Sequence, residues 1–483
     1  MTDHLSRPPS LRLGNLEQRV ILFLGDLLAS IIALVASLYI WIEYSWRALL
    51  ATGIALKKAE SIFSLDVQFW IYFLPFVWLL LLIELYEPQV AANRKKTQRG
   101  IMIAGIIAFV GYALIFMIIK DPTSSLPRIV IGAFLLIAAL LTWLWRLLYI
   151  RLYTSQGLTR RILIVGAGKA GATLAKAYEE LEPKPFLLVG FSDDDPDKIG
   201  SKFEGFRVLG SNRDLIKLIE QHNINDIVVA ITGSMMGSTF QTILDVQEAG
   251  VMVTRMPTIF EEITGRVPIH HLESDWLIRS FVDETRVSAF YELGKRVVDL
   301  LGSVVGIMIF LVTMPLISLA IIIETGFPVF YGQDRLGQGG KPFMLYKFRT
   351  MRQDAEADGV ARLAQENDPR VTRVGNFLRK TRLDEFPQFF NVLRGEMSLV
   401  GPRAEREELV KEFQEQIPFY RARLLVKPGI SGWAQITSGY ASSIFGTSLK
   451  LEYDLYYIKH RTVAMDITIL LRTFSTVFGF KGR

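Results

Sequence analysis

The sequence predicts a mixed membrane and α/β protein, in which four N-terminal transmembrane helices precede two water-facing α/β domains. Three observations indicate this class. Half of the 483 residues are hydrophobic and the mean hydropathy is +0.30, yet 21% of the residues are charged. The long apolar stretches lie within the first 150 residues and in one later segment. The length suits two or three domains.

Four N-terminal stretches are long enough to cross a bilayer, which takes about 20 apolar residues each. They cover residues 20–42, 68–87, 101–119 and 127–150. Basic residues concentrate in the N-terminal tail, in the loop after the second stretch and after the fourth stretch, and such residues favour the cytoplasmic side. Residues 1–155 are therefore predicted to form a four-helix transmembrane domain with a cytoplasmic N-terminus.

Cysteine is absent, which excludes disulfides, cysteine-ligated zinc and a cysteine nucleophile. The formal net charge is +6, a modest excess. An anionic membrane surface or phosphate-bearing substrates explain this excess as readily as a nucleic acid does, and we expect no nucleic-acid partner.

A fifth apolar stretch, residues 297–323, is also long enough to cross a membrane. A true crossing would place residues 151–290 and 325–483 on opposite sides, although both segments are charged and globular in pattern. Pro315 lies inside the stretch and is expected to break the helix. A helix that bends at Pro315 and leaves on the same face, and an ordinary kinked span, both remain open.

The middle of the chain carries a dinucleotide-binding fingerprint. "RRILIVGAGKAGATLAKAYEE" (160–180) is a short buried strand, the glycines Gly166, Gly168 and Gly171, and an alanine-rich helix. Asp193 follows a second strand. The glycines allow close backbone approach and the helix N-terminus offers amides to a pyrophosphate. With the strand and helix patterns that follow, residues 156–285 are predicted to be a Rossmann-like, doubly wound domain.

Whether this middle domain binds a nucleotide is left open by the sequence. The same fingerprint occurs on structural or regulatory α/β domains, and Asp193 could simply cap the loop that follows it. No Tyr-x-x-x-Lys pair suited to hydride transfer is evident within residues 160–257. A bound nucleotide and a structural or regulatory role are thus competing interpretations.

The C-terminal segment contains an acid pair, Asp384 and Glu385, behind a run of basic residues. Thr381 three residues before Asp384 gives a capping-box pattern, and Pro387 suits a first helical turn. One interpretation is therefore a helix cap with an acidic first turn, which the helix dipole favours.

Nearby cations favour a second interpretation of the acid pair. A carboxylate can ligate Mg²⁺ beside a diphosphate, or attack phosphorus and form an acyl phosphate. Both roles need cations to hold phosphate oxygens, and the sequence offers Lys347, Arg349 and Arg403. Since side chains alternate along a strand, "MLYKFRTM" is predicted to place Lys347 and Arg349 on one side.

Four motifs, in the same order along the chain, resemble those of the bacterial sugar transferases, the monotopic phosphoglycosyl transferases that act on polyprenol phosphates. They are "KRVVDL", "YKFRTM", "TRLDEFPQFFNVLRGEMSLVGPR" and "KPGISGWAQI". The resemblance covers about residues 290–483. Together with the membrane and Rossmann-like parts, it is similar to the long form that initiates exopolysaccharide or O-antigen synthesis.

The resemblance implies an α/β catalytic domain over residues 286–483 with a re-entrant membrane helix at about 296–324. The family often has Ser-Pro at the helix break, whereas this chain has Met314 and Pro315. It also implies a location in the bacterial inner membrane, with the catalytic domain on the cytoplasmic face. A homodimer through the membrane or middle domains is an open alternative to a monomer.

The implied reaction moves a sugar 1-phosphate from a UDP-sugar, with glucose or galactose the usual sugars, to undecaprenyl phosphate and releases UMP. Asp384 would be the nucleophile and Glu385 its partner. Lys347 and Arg403 match phosphate-binding positions of the family. Mg²⁺ would offset the diphosphate charge, with Asp384 as its expected ligand.

Two other functions are compatible with parts of the sequence. A membrane-anchored NDP-sugar oxidoreductase or dehydratase would need a second dinucleotide-binding domain, and residues 290–483 carry no glycine fingerprint. A non-catalytic scaffold of polysaccharide assembly would not need the acid pair together with its cations. Both alternatives are therefore less well supported than the transferase.

Overall fold

The computed structural model describes residues 15–52, 69–86, 88–118, 128–153, 160–233, 235–272, 288–353, 368–438 and 443–478. The chain divides into two compact units, residues 1–167, 178–227 and 238–253 in one and residues 168–177, 228–237 and 254–483 in the other. The domain boundaries expected at 155/156 and 285/286 both lie outside the described residues, so these boundaries stay predictions.

The N-terminal part of the chain is helical. Its helices are α1 (Asn15–Thr52), α2 (Leu74–Leu81), α3 (Pro88–Ala91), α4 (Arg94–Ile118) and α5 (Arg128–Tyr153), with 3₁₀ turns at Phe69–Phe73 and Ile83–Tyr86. Residues 17–44 and 129–152 are long and apolar enough to cross a membrane, which agrees with the first and fourth predicted crossings. The apolar helix at 69–81 is shorter, so the predicted second crossing is present only as a short helix.

A buried ion pair joins α1 to α5. Arg146 Nη2 donates to Asp26 Oδ2 at 2.6 Å, and Arg146 Nη1 donates to the carbonyl of Leu85 at 2.6 Å. The guanidinium also lies 5.0 Å from the centre of the Tyr86 ring. Charges in an apolar helical bundle are tolerated when paired in this way. The pair therefore fixes the register of α1 and α5 and their contact with the 3₁₀ turn at Ile83–Tyr86.

The middle of the chain forms a six-stranded sheet in the order β3-β4-β2-β1-β5-β6. The strands are β1 (Arg161–Val165), β2 (Leu187–Ser192), β3 (Lys202–Phe203), β4 (Phe206–Gly210), β5 (Asp226–Val229) and β6 (Met252–Arg255). The accompanying helices are α6 (Lys169–Glu179), α7 (Leu215–Gln221), α8 (Gly237–Glu248) and α9 (Met256–Thr264). β1 pairs in parallel with β2, and β2 in parallel with β4. Strand order reverses direction at β1, as in the doubly wound sheet predicted from the sequence.

The C-terminal part of the second unit begins with a long apolar helix, α10 (Ala289–Thr325). Two small sheets follow, an antiparallel hairpin of β7 (Phe330–Leu336) with β8 (Pro342–Phe348), and a parallel pair of β9 (Ser398–Val400) with β10 (Gly429–Ser431). The helices are α11 (Arg373–Thr381), α12 (Phe389–Arg394), α13 (Glu407–Gln416), α14 (Trp433–Thr437), α15 (Ile444–His460) and α16 (Val463–Phe478). A core of buried side chains from these elements holds the two sheets in place.

Residues on both sides of Pro315 are helical within α10, and the bend predicted at this residue stays a prediction. The hydroxyl of Thr313 donates to the carbonyl of Ile309 at 2.9 Å and lies 3.2 Å from that of Phe310. A threonine two residues before Pro315 therefore supplies a hydroxyl contact in the turn that precedes the proline. Neighbouring hydroxyls of this kind help helices to accommodate proline in membranes.

Both ends of α10 contact the same C-terminal domain. Near its start, Lys295 Nζ donates to the carbonyl of Val400 at 3.0 Å. At its end, the carboxylate of Glu324 accepts from the backbone N–H groups of Arg373 and Val374, which open α11. The helix is therefore attached at both ends to the domain that carries the acid pair.

Candidate active site

The acid pair lies in a short 3₁₀ helix, Leu383–Gln388, that directly follows α11. Arg382 adopts the left-handed conformation, φ 54°, and turns the chain between the two helices. The hydroxyl of Thr381 donates backwards to the carbonyls of Phe377 and Leu378. The capping box predicted from Thr381 and Asp384 is therefore wrong, because Thr381 ends one helix and does not cap the next.

Both acids are buried, with Asp384 7% and Glu385 8% exposed. Glu385 Oε1 accepts from Arg403 Nη1 at 3.1 Å and lies 3.7 Å from Lys347 Nζ. Glu385 Oε2 is buried and has no hydrogen-bond partner among the described residues. This oxygen is therefore an acceptor that the described residues leave available in the site.

The two acids differ in how readily they ionise. Burial and the neighbouring charge of Glu385 raise the pKa of Asp384 above its ordinary value. Burial opposes the ionisation of Glu385 as well, but the positive charges of Arg403 and Lys347 outweigh it and lower the pKa of Glu385. Glu385 is thus the fixed anion that orders the cations, and Asp384 is the carboxylate whose charge is least compensated.

Lys347 reaches the acid pair from β8. It pairs with Tyr331 across the β7–β8 hairpin, and the next residue, Phe348, stacks on Phe330 with ring centres 5.2 Å apart. Burial, followed by the nearby charge of Arg403, lowers the pKa of Lys347 to about 8. An ammonium group with a lowered pKa still carries its charge at neutral pH and is well placed to bind an anion.

Arg403 directly follows the turn at Gly401 and Pro402, and this turn is hydrogen-bonded to β10. Gly401 N donates to the carbonyl of Ser431 at 2.8 Å, and Gly429 N donates to the carbonyl of Pro402 at 2.8 Å. A Cβ atom on Gly401 would lie 2.4 Å from the carbonyl oxygen of Lys427, so only glycine fits this close approach. The turn therefore aims Arg403 at Glu385.

This turn is supported by a buried ion pair that no sequence motif predicted. Arg423 Nη2 donates to the carbonyl of Arg403 at 3.2 Å and to Asp454 Oδ2 at 2.9 Å. Arg423 Nη1 donates to the hydroxyl of Tyr420 at 2.7 Å. These contacts fix the backbone from which Arg403 projects.

Helix α10 contributes a second set of residues that sequence reasoning did not assign. Asp299 Oδ1 accepts from Ser398 Oγ and from the N–H of Leu399, each at 2.9 Å. Lys295 Nζ also donates to Asp466 Oδ2 at 3.0 Å. A lysine and an aspartate one turn apart in an apolar helix are themselves a signal for buried polar contacts.

Arg349, the third predicted phosphate-binding cation, lies further along the same hairpin. Its N–H donates to the carbonyl of Val329 at 2.9 Å, which continues the β7–β8 pairing. Its Nη2 donates to Thr325 Oγ1 at 2.7 Å and to the carbonyl of Gly326. The contacts of Arg349 are thus made with the end of α10, and its predicted role toward phosphate stays a prediction.

The predicted nucleotide loop of the middle domain is partly closed by its own acid. Gly166 has φ 108°, and the N–H of Ala167 donates to Asp193 Oδ2 at 2.7 Å. Asp193 Oδ1 accepts from the N–H of Asp195 at 2.9 Å. Gly168 and Gly171 belong to the second unit, at the start of α6. Asp193 therefore caps the loop in this structure, and both interpretations of the middle domain, nucleotide binding and a structural or regulatory role, stay predictions.

Two known protein families match parts of the chain. Residues 290–480 match the family described as bacterial sugar transferase. Residues 81–245 match a family described as CoA-binding domain. The acid pair, Lys347 and Arg403 all lie within the first of these matches.

Several characterised proteins are similar over longer stretches. An Aeromonas hydrophila protein named UDP-N-acetylgalactosamine-undecaprenyl-phosphate N-acetylgalactosaminephosphotransferase is 44% identical over 236 residues, which cover 49% of this chain and 54% of that protein. An Escherichia coli (strain K12) protein named UDP-glucose:undecaprenyl-phosphate glucose-1-phosphate transferase is 32% identical over 337 residues, 67% of this chain and 68% of that protein. An Erwinia amylovora UDP-galactose-lipid carrier transferase is 28% identical over 397 residues, 76% of this chain and 80% of that protein.

This chain spans about half the length of the Aeromonas protein and about two thirds of the Escherichia protein. The family match covers the residues whose side chains converge on Glu385. On the matched residues and on the similarity to the Escherichia coli protein, the chain belongs to the bacterial sugar transferase family.

Proposed function

We propose that this protein transfers a hexose 1-phosphate from a UDP-sugar to undecaprenyl phosphate and releases UMP, as the first membrane step of polysaccharide synthesis. The observation that carries the proposal is the buried Asp384 beside a glutamate that two cations hold in place. The named relatives use UDP-linked glucose, galactose or N-acetylgalactosamine. The donor sugar belongs to this group, which contains the glucose and galactose that the family resemblance implies.

In the first step, a carboxylate oxygen of Asp384 attacks the phosphorus that bears the sugar. The new oxygen–phosphorus bond forms as the bond to the UMP oxygen breaks, which leaves an aspartyl phosphosugar and UMP. Lys347 and Arg403 stabilise the negative charge that develops on the diphosphate oxygens. Glu385 keeps these two cations oriented and is in a position to assist proton transfer. In the second step, undecaprenyl phosphate takes the phosphosugar from Asp384.

Mg²⁺ fits this site as a partner of the substrate. Mg²⁺ in such sites typically uses one or two carboxylates and takes further oxygens from substrate phosphates. Asp384 and the unpartnered Oε2 of Glu385 are carboxylate oxygens of this kind. In the described part of the chain no group of three or more His, Asp or Glu side chains is arranged to hold a metal by itself. When bound, Mg²⁺ would neutralise diphosphate charge.

We also propose that α10 enters and leaves the bilayer on one side, with the catalytic domain on the cytoplasmic face of the inner membrane and four N-terminal helices as an anchor. The contacts of both ends of α10 with one domain support this arrangement. A crossing helix would separate its ends by the roughly 30 Å of the hydrocarbon core. The basic residues flanking the N-terminal helices support the cytoplasmic side. A homodimer is compatible with these elements.

Release of UMP tests the proposed function directly. Purified protein in detergent or vesicles, with Mg²⁺ and undecaprenyl phosphate, is expected to release UMP from at least one of UDP-glucose, UDP-galactose and UDP-N-acetylgalactosamine. Asp384→Asn is expected to release none while retaining the thermal unfolding profile of the unaltered protein. Folded protein that releases no UMP from any of the three donors would contradict the proposal.

A further inference from the structure

The motif KRVVDL, residues 295–300, lies near the start of α10, and none of its residues takes part in the proposed reaction. Lys295 and Asp299 are four residues apart, so their side chains lie on the same face of the helix. Polar side chains that are largely buried are costly unless they are hydrogen-bonded. The contacts of these two side chains therefore indicate what this part of the motif does.

Lys295 and Asp299 together contact every residue of β9. Asp299 Oδ1 accepts from Ser398 Oγ and from the N–H of Leu399, each at 2.9 Å. Lys295 Nζ donates to the carbonyl of Val400 at 3.0 Å. All three strand residues are buried. The N-terminal part of α10 therefore fixes β9 through two backbone groups and one side chain.

The ammonium group of Lys295 is itself held in one orientation. Its three donors meet three acceptors, the carbonyl of Val400 at 3.0 Å, the hydroxyl of Tyr457 at 3.1 Å and Asp466 Oδ2 at 3.0 Å. The hydroxyl of Tyr457 in turn donates to Asp466 Oδ1 at 2.8 Å. Both Tyr457 and Asp466 are buried. A lysine whose donors are all engaged in a buried network keeps a fixed contact with Val400.

Strand β9 leads directly to a cation of the active site. Val400 is followed by the turn at Gly401 and Pro402 and then by Arg403, whose Nη1 donates to Glu385 Oε1 at 3.1 Å. The N–H of Gly401 and the carbonyl of Pro402 are both hydrogen-bonded to β10. The backbone from β9 to Arg403 is therefore fixed at each step, and a displacement of Val400 would also displace the guanidinium group.

We propose that Lys295 and Asp299 are positioning residues, which act through β9 to hold Arg403 at the distance from the acid pair that the first half-reaction needs. These roles rest on the proposed function. A shift of about 1 Å in a group that contacts the reacting atoms can cost about 10²-fold in rate. Contacts three residues away from Arg403 are close enough along the chain to produce such a shift.

A role in stability alone is the main alternative, since buried ion pairs and hydrogen bonds also stabilise the fold. The two roles differ in their dependence on Arg403. A residue that acts through Arg403 loses its effect on the rate once Arg403 is removed, whereas the effects of independent residues multiply. Asp299→Asn is the conservative variant, because its amide oxygen can accept the same two hydrogen bonds.

The neighbouring Arg296 provides a matched control. Its Nη1 donates to the carbonyl of Val392 and its Nη2 to that of Leu393, each at 2.9 Å. Arg296→Met therefore removes contacts between the same helix and α12 and leaves the contacts with β9 intact. Any loss of rate in Arg296→Met is expected to be the same with and without Arg403. Glu292→Gln, at an exposed acid of α10, is the second control and is expected to behave as the unaltered protein.

The test is the second-order rate constant of UMP release in a single turnover, with a UDP-sugar that the unaltered protein accepts and no lipid acceptor. Lys295→Met and Asp299→Leu are each expected to lower it about tenfold or more, but less than about twofold in the Arg403→Ala background. Asp299→Asn is expected to stay within about threefold of the unaltered protein. Losses that multiply with that of Arg403→Ala, or an unchanged rate in Asp299→Leu, would overturn the proposal.

The pH profile of the same reaction gives a readout that a role in stability would not change. Burial raises the pKa of Asp384 and lowers that of Lys347, and the charge of Arg403 lowers both. Attack needs ionised Asp384 and phosphate binding needs protonated Lys347. If Arg403 moves away in Lys295→Met, both pKa values rise, and both limbs of the profile are expected to shift to higher pH. A lower rate with unshifted limbs would overturn the proposal.

Thermal unfolding in detergent separates a folding defect from a positioning defect. If Lys295→Met or Asp299→Leu unfolds below the assay temperature, Ser398→Ala decides, because it removes one donor to Asp299 and leaves no buried charge without its cation. Its rate is expected to fall about fivefold, and only while Arg403 is present. An equal fall in the Arg403→Ala background would overturn the proposal. Unaltered protein that releases no UMP would instead contradict the proposed function, so the two failures are distinguishable.

Discussion

Arg403 Nη1 donates to Glu385 Oε1 at 3.1 Å, and Glu385 is the neighbour of the residue proposed to attack phosphorus. The closest ion pair of the site therefore involves Glu385 and not Asp384. This arrangement leaves the nucleophile free of a tight cation while keeping cations close enough to hold the substrate. Substitutions of Asp384 and of Glu385 are consequently expected to have different effects.

Asp384→Asn is expected to lower turnover by about 10³-fold or more, because an amide oxygen does not form the phosphosugar intermediate. Radiolabelled or mass-shifted protein, measured after incubation with UDP-sugar alone, should be absent in this variant. Glu408→Gln, at a largely exposed acid of α13, is the control and should behave as the unaltered protein. A labelled intermediate in Asp384→Asn would exclude Asp384 as the nucleophile.

Arg403→Ala is expected to reduce kcat/KM for the UDP-sugar by about 10²- to 10³-fold, the usual cost of removing one donor that stabilises transition-state charge. The variant also leaves Glu385 with Lys347 as its remaining close cation. Steady-state kinetics at varied UDP-sugar would measure the effect. Arg421→Ala provides a nearby comparison, since Arg421 is exposed and lies outside the contacts of the acid pair. Equal kinetics for Arg403→Ala and Arg421→Ala would contradict the role of Arg403.

The pH dependence of the first half-reaction should have two limbs. Asp384 must be ionised to attack, and its pKa is raised by burial and by Glu385, so the rate falls as pH drops through that raised value. Lys347 must be protonated to hold phosphate, and its pKa is lowered to about 8, so the rate falls as pH rises through about 8. Stopped-flow measurement of UMP release across pH tests both limbs.

The pH profile of UMP release in Glu385→Gln tests the assignment of the two limbs. The charge of Glu385 raises the pKa of Asp384 and also raises that of Lys347. Its removal is therefore expected to move both limbs of the profile to lower pH. Limbs that stay in place would show that other groups control the rate.

Removing only one partner of the Asp26–Arg146 pair should destabilise the N-terminal helices. Arg146→Leu leaves Asp26 buried without its cation, which typically costs about 3–5 kcal/mol. The double variant Asp26→Leu with Arg146→Leu removes both charges and should recover most of that loss. Thermal unfolding in detergent measures the difference, and equal melting temperatures for the single and double variants would contradict it.

The acid pair and its two cations could be predicted because each lies in a short motif, and the order of these motifs resembles one family. Arg423 and Asp454 could not be predicted, because they are 31 residues apart and only the tertiary fold brings them together. The β1–β2 unit and its glycine loop were predictable since strand, loop and helix are contiguous there. The contact of Asp193 with Ala167 then showed that the acid caps the loop.

A short sequence pattern gave a wrong prediction where another hydrogen bond took its place. The spacing of Thr381 and Asp384 suits a helix start, but the hydroxyl of Thr381 bonds backwards and Arg382 turns the chain. A local contact inside one helix therefore decided this case. Around Pro315, side chains of α10 such as Phe310 and Ile321 pack against the C-terminal domain, and the bend at the proline stays a prediction.

The contact of Lys295 with Asp466 joins residues 171 positions apart and has a consequence for biosynthesis. Lys295 is synthesised long before Asp466, so α10 leaves the ribosome before its partner on α16 exists. The glycine-fingerprint sheet, whose strands all precede α10, is synthesised earlier still. The contact between α10 and α16 therefore forms only at a late stage of translation.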